Sequence, residues 1–233
     1  MDQLPEFDKY VGIYEDAHKF STRCSGFEPS YFDEYKVREV DRVLAARNVA
    51  PRTILNFGCG IGKSEGYFHR FFPTASVLGV DVSPKSIEMA VQRNAGLDSR
   101  AVRFLRIRSV AEIPGRYEVI FVANVFHHVD HVRHVEILEQ LRTKLDPQGY
   151  LFLFEHNPYN PITLKAVRDC EFDADAHLLN PGYARHAFQL AGFNRVSLRY
   201  TLFFPHFLKA LIPAERFLYW LPLGAQYFCI AWN

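Results

Sequence analysis

Cysteine is scarce: Cys24, Cys59, Cys170 and Cys229 are the only four, and none forms a Cys-x-x-Cys pair. That scatter excludes a disulfide scaffold and a zinc ribbon, and it points to a reducing compartment, read here as cytoplasmic. An excess of one charge is also missing, since 27 Lys and Arg stand against 26 Asp and Glu. Duplex-binding surfaces usually carry a basic excess, so no nucleic acid is expected as a partner. No stretch reaches the roughly 18 uncharged apolar residues of a membrane span. The opening Met1-Asp2-Gln3-Leu4-Pro5-Glu6 is acidic and lacks the apolar run of a signal peptide. Repeats, low-complexity tracts and Gly/Ser linkers are absent as well. Aromatic residues, by contrast, are plentiful at 15%, with 21 Phe. They predict a large core, an aromatic pocket, or both.

Apolar periodicity orders the chain. Val37, Val40, Val43 and Leu44 fall at helical spacing within 31–48, and Pro51 ends that helix. Thr53–Phe57 reads as a short buried strand, followed by glycines and a helical stretch to about Phe72. The next strand runs from Ser76 to Val80 and closes on Asp81. Ser83-Pro84 supplies an N-cap and first-turn proline for a helix over 85–94. Further strands are expected over 102–107, 117–123 and 150–155, with a helix over 130–145 before the last. This alternation predicts an α/β, doubly wound, mostly parallel sheet covered on both faces. Beyond 155 the pattern loosens: a helix over 181–191, a long strand over 193–204 and a closing strand over 225–232. One domain is expected, with an N-terminal helical cap over 1–30, a core over 31–155 and substrate-side elements over 156–233.

The loop at 57–64 discriminates between nucleotide sites. A Walker loop needs Gly where Phe57 stands, and Gly-x-Gly-x-x-Gly needs Gly where Lys63 stands. What remains is Gly58-x-Gly60-x-Gly62 between a strand and a helix. Glycines allow a sharp turn and close approach of a ligand, and the helix start offers N–H groups to an anion. Asp81, 19 residues after Gly62, ends the second strand. A carboxylate there suits two ribose hydroxyls; its bland alternative is a turn aspartate before Ser83-Pro84.

These runs resemble the class I S-adenosylmethionine methyltransferases of small molecules. Ile54-Leu55-Asn56-Phe57-Gly58-Cys59-Gly60-Ile61-Gly62 looks like their first motif and Gly79-Val80-Asp81-Val82-Ser83 like their second. Val122-Ala123-Asn124-Val125-Phe126-His127-His128-Val129 is similar to their fourth-strand segment, and Leu145-Asp146-Pro147-Gln148-Gly149-Tyr150-Leu151 to the run into their fifth. The resemblance covers 35–155 and implies a Rossmann-like sheet of seven strands with S-adenosyl-L-methionine as cofactor. It places Phe57, Gly58, Cys59, Gly60, Gly62, Asp81, Val82, Ser109, Val110 and Asn124 around that cofactor, with Tyr14 reaching it from the cap. Two departures stand out. The family often has an acid where Asn56 stands, serving the methionyl ammonium, and an Asp where Ser109 stands, receiving the adenine amine.

Methyl transfer from a sulfonium is an in-line displacement, and a hydroxyl acceptor must also lose a proton. Four residues ending strands four and five are candidates for that chemistry: His127, His128, Glu155 and His156. Neighbours on an extended segment point to opposite sides, so one of each pair is expected to face the substrate, the other to pack. His127, His131 and His134 have i, i+4, i+7 spacing, but the helix is expected to begin near Asp130, which leaves His127 outside it and predicts no metal site. The expected reaction is O-methylation of a small molecule bearing a sugar, lipid-linked or natural-product hydroxyl. A cofactor-holding module without turnover and an NAD-type oxidoreductase are the rival classes.

The insertion over 205–222 carries Phe207, Leu208, Leu211, Ile212, Phe217, Leu218, Tyr219, Trp220 and Leu221 between prolines. We expect it to be a lid for a large apolar acceptor. Its other uses are packing on the sheet or cap, peripheral contact with a membrane surface, and a homodimer contact. His206, Lys209 and Arg216 are too few cations for firm anchoring at a bilayer.

Overall fold

The structure is a computed structural model that describes residues 25–170 and 176–233. The expected cap over 1–30 and the Tyr14 assignment therefore lie mostly or wholly outside the described residues. Helix α1 spans Pro29–Ala45 and starts with proline at its first turn, where the missing N–H costs nothing. Strand β1 (Thr53–Phe57), helix α2 (Glu65–Phe71), strand β2 (Ser76–Asp81), helix α3 (Pro84–Arg93) and strand β3 (Val102–Arg106) follow. Ser83 caps α3 by accepting from Ser86 N. Strand β4 (Tyr117–Ala123), helix α4 (His131–Lys144) and strand β5 (Leu145–His156) complete the first five-strand unit. Helices α5 (Pro161–Arg168) and α6 (Pro181–Leu190) precede strand β6 (Arg195–Thr201), and strand β7 (Gln226–Trp232) closes the chain.

One seven-stranded sheet runs in the order β3-β2-β1-β4-β5-β7-β6. Strands β1 to β5 pair in parallel, while β7 lies antiparallel between β5 and β6. The order reverses between β1 and β4, so the loops after those strands diverge and leave a crevice at their carboxyl ends. Much of the phenylalanine excess is core: Phe68, Phe121, Phe152, Phe154 and Phe228 lie under one face with α1 and α2. The other face packs α4 and α6 around Leu138, Leu141, Phe188 and Tyr227. Each such side chain contributes about 1.5–3 kcal/mol on burial.

Four elements differ from the sequence expectations. Strand β5 begins at Leu145, not Tyr150, because Leu145 already pairs with Tyr117 before a register shift at Val119 absorbs residues 146–149. Strand β6 is shorter than the 193–204 run, ending where Leu202 takes a left-handed φ of 62°. Helix α5 was not anticipated; Asn160 caps it by accepting from Ile162 N and Thr163 N. The insertion forms a kinked 3₁₀ helix over His206–Phe217. Buried Glu215 anchors it, accepting from Tyr35 OH on α1 and from Phe203 N at 2.8 Å. Tyr219 donates to buried Glu39 of α1 at 2.8 Å. The insertion thus sits against α1.

Candidate functional site

The glycine loop closes over the β1–β4 crevice. Gly58, Gly60 and Gly62 all have positive φ, at 72°, 53° and 69°. Two of them make room for the protein itself: a Cβ on Gly58 would stand 2.4 Å from Val125 Cγ2, and one on Gly62 would stand 2.9 Å from Ala90 Cβ. Gly60 differs, because a Cβ there would meet nothing within 4 Å. Its N–H donates to Asp81 Oδ2 at 2.9 Å, while Ser83 N donates to Oδ1 at the same distance. Asp81 therefore does what a turn aspartate does, tying two loops together. A carboxylate keeps further lone pairs after two such bonds, so ribose hydroxyls remain within its capacity.

A cavity of about 520 Å³ opens there. Of the residues singled out from the sequence, Phe57, Gly58, Cys59, Gly60, Asp81, Val82, Ser109, Val110, Asn124 and His128 border it. Gly62 does not, being turned to α3. Asn124 holds a left-handed φ of 56°, its N–H donates to Phe154 O at 2.9 Å, and its buried Oδ1 has no hydrogen-bond partner. Burial pushes the Cys59 thiol well above its ordinary value, aided by Glu65 and Asp81. It is not a nucleophile at neutral pH.

At the carboxyl ends of β4 and β5 the four candidates separate. Phe126–His128 forms a 3₁₀ turn. His127 is 1% exposed, and its Nδ1 lies 2.6 Å from Oε2 of fully buried Glu155. Glu155 Oε1 accepts from Phe126 N at 2.9 Å. Burial works to raise the Glu155 pKa, but His127, His156 and these hydrogen bonds outweigh it and hold the carboxyl below its usual value. An ionised Glu155 takes the Nδ1 proton of His127 in its hydrogen bond and fixes the ring. Glu155 thus faces inward to His127. His128 is the member of the group that borders the cavity, its ring 4.1 Å from that of His127. The His156 ring stands 5.3 Å from His127.

The third histidine of the i, i+4, i+7 set is committed elsewhere. His134 Nε2 donates to Phe126 O and Val129 O at 2.9 and 3.0 Å, and Nδ1 receives Tyr183 OH at 3.1 Å. Burial lowers its pKa, so it stays neutral and pins the turn. Among the described residues no group of His, Cys, Asp and Glu is placed to hold a metal ion.

Comparison with known proteins adds the family. The methyltransferase-domain family profile matches residues 30–198. The chain belongs to the methyltransferase domain family. Its fold is the Rossmann-like fold of the methyltransferases, seen in neighbours solved with bound SAM or SAH. The magnesium protoporphyrin IX methyltransferase of Synechocystis PCC 6803, solved with bound SAH, superposes with a TM-score of 0.64 at 16% identity, over 97% of each chain. Trans-aconitate 2-methyltransferase of Rhodopseudomonas palustris is 34% identical over 122 residues, 52% of this chain and 45% of that protein. Malonyl-[acyl-carrier protein] O-methyltransferase of Halalkalibacterium halodurans is 33% identical over 124 residues, 51% and 43% of the two chains. The chain spans less than half the length of the curated relatives it matches.

The residues fit the methyltransferase cofactor. Gly60 leaves open space beside a ligand, and the orphaned Asn124 Oδ1 is an acceptor in need of a donor. Sequence reasoning missed part of the wall. Asp33 of α1 borders the cavity, as do Arg133 and Gln140 of α4, and Lys36 of α1, which the sequence offers beside the cap without a role, borders it too. Lys36 is 4% exposed, and burial lowers its pKa, with Asp33 opposing that shift. A buried lysine inside an amphipathic helix carries no local pattern, so its burial among Val37 and Val40 is not legible in the sequence. No residue of 205–222 borders this cavity. The lid expectation is corrected to that extent: the Glu215 and Tyr219 contacts hold the insertion on α1.

Proposed function

We propose that the chain transfers a methyl group from S-adenosylmethionine to an oxygen of a small molecule, with a hydroxyl of a sugar, natural-product or lipid-linked acceptor as first choice. The observation that carries this reading is His128 at the cavity, on a turn fixed by the buried His127–Glu155 pair. The bound cofactor supplies an electrophilic methyl on a sulfonium. The chain does the rest: the glycine loop and Asp81 orient the adenosyl part, Asn124 accepts a hydrogen bond beside it, and His128 receives the hydroxyl proton. His127, Glu155 and His156 are positioning residues behind His128. With the cofactor in place the cavity excludes water from the line of transfer.

Replacing His128 by Ala is expected to lower turnover by roughly 10²–10⁴-fold, with S-adenosylhomocysteine affinity unchanged by calorimetry. A loss of less than tenfold, with labelled product still formed, removes the general base.

A second reading has its own observation. Lys36 presents an ammonium at the cavity and makes no ion pair there with the described residues. A carboxylate acceptor would pair with it and needs no base. The acceptors named for the relatives, trans-aconitate and malonyl groups, carry carboxylates. Lys36→Met would then raise the KM for an acid acceptor while His128→Ala left turnover intact.

A further inference from the structure

Helix α2 opens with an acid that no motif requires. Glu65 is fully buried beneath β1 and β2, and its Oε1 lies so near Gly79 that a Cβ there would stand 2.7 Å away. Asn56 Nδ2 donates to Oε1 at 2.7 Å, whereas Oε2 is buried without a hydrogen-bond partner. No cation among the described residues forms an ion pair with it. Asn56, itself 3% exposed, borders the cavity. Of the two ends of the Asn56 amide an ionised Glu65 can accept from Nδ2 alone, which turns Oδ1, an acceptor suited to an ammonium, away from itself.

We propose that Glu65 supplies the negative charge that β1 lacks, relayed to the cofactor's ammonium through Asn56, and that cofactor binding drives the proton off its carboxyl. The proposal rests on the cofactor reading above. A fully buried carboxyl with no cation beside it keeps its proton. Burial pushes Glu65 up to about 7, against the Asn56 bond and the backbone amides of Glu65 and Ser64, with Asp33 adding to the rise. The groups facing it are few. Asp33 on α1 raises it, the Cys59 thiol on the loop is held protonated, and β2 and β3 offer only Gly79 and Phe104. An ammonium arriving at Asn56 is the missing cation. It favours the charged form, the proton passes to solvent, and affinity therefore rises with pH.

The test is calorimetry on the full chain with two ligands, S-adenosylhomocysteine and 5′-methylthioadenosine, the second lacking the amino-acid part. Titrations in buffers of different ionisation enthalpy count protons. S-adenosylhomocysteine is expected to release roughly half a proton at pH 7 and to bind roughly tenfold tighter at pH 8 than at pH 6. 5′-Methylthioadenosine should do neither, which also separates Glu65 from His128. Glu65→Gln should abolish the release and flatten the pH profile for S-adenosylhomocysteine. Equal proton release with both ligands, or release that survives in Glu65→Gln, overturns the proposal but leaves the cofactor reading standing. Failure of both ligands to bind overturns the two together. The wild-type comparison decides even where the variant does not fold.

Discussion

The two walls of the cavity are built by different means. The β1–β2 wall is made of backbone: left-handed Gly58 and Gly60, with left-handed Gly62 behind them against α3, and Asp81 tying the loops at 2.9 Å. The β4 side, where Asn124, Val125 and His128 border the cavity, is braced from behind by buried side chains: Glu155 against His127, with His134 bonded to Phe126 O and Val129 O. A backbone-built wall tolerates almost no substitution at its glycines, because a Cβ is either strained or in collision. A side-chain wall admits other chemistries on the same strands. The difference fits a division of labour in which one wall holds a constant cofactor and the other meets a variable acceptor.

The hardest blow to this contrast falls where the walls touch. Gly58→Val places a Cβ 2.4 Å from Val125 Cγ2 at a φ of 72°. Strain and overlap together cost about 4–5 kcal/mol. S-adenosylhomocysteine binding should vanish and the melting temperature should fall by more than ten degrees. A Gly58→Val protein that binds normally would show that the loop is not the cofactor wall.

Next in size is the His127–Glu155 pair. His127→Ala leaves a buried carboxylate without its partner, costing about 3–4 kcal/mol, while cofactor affinity changes little. The pH dependence has a definite sign. Glu155 ionises more easily folded than at its ordinary value of 4.5. Its contribution is full above that value and lost as pH falls through the lowered native one. Melting curves of wild type and Glu155→Gln should therefore differ most near neutrality and converge in acid. Parallel curves down to pH 3 would remove the ionised pair.

Sequence made the first wall legible and the second only in part, for the same physical reason. Glycine spacing is local: Gly58, Gly60 and Gly62 announce a turn with no knowledge of the fold. The alternation of strands and helices likewise set the order up to β5. The bond between His127 and Glu155 joins residues 28 apart, and nothing in either neighbourhood marks it. The same holds for Asn56 and Glu65. The missing acid at Asn56 was visible, but its replacement nine residues on became apparent only when α2 folded back over β1. The insertion misled because apolar composition does not record what a segment touches, and Phe207, Phe217 and Trp220 are exposed. Its true anchors are polar, Glu215 and Tyr219.

Those anchors come third. Glu215→Ala strands two backbone N–H groups, Phe203 N and Phe204 N, and leaves Tyr35 OH with Thr201 Oγ1 in place of its carboxylate acceptor. The loss is about 2–3 kcal/mol, read as a drop of several degrees in Tm with S-adenosylhomocysteine affinity unchanged. A matching fall in cofactor affinity would join the insertion to the first wall after all.

The smallest effect concerns the outer face of that insertion. Phe207 is 81% exposed, Phe217 65% and Trp220 74%, so these rings rest on little of the described protein. Removing an exposed ring gives up almost no burial, and surface changes of this kind usually stay within about 0.5 kcal/mol. Phe207→Asp combined with Phe217→Asp is therefore expected to leave Tm and cofactor affinity at wild-type values. The informative readout is turnover once an acceptor is in hand. Unchanged turnover with a small polar acceptor and a rise in KM confined to apolar acceptors would extend the side-chain wall outward to this face. Unchanged kinetics with both kinds would separate it from the reaction. Added charge would also lower any self-association through the patch, which light scattering reads directly.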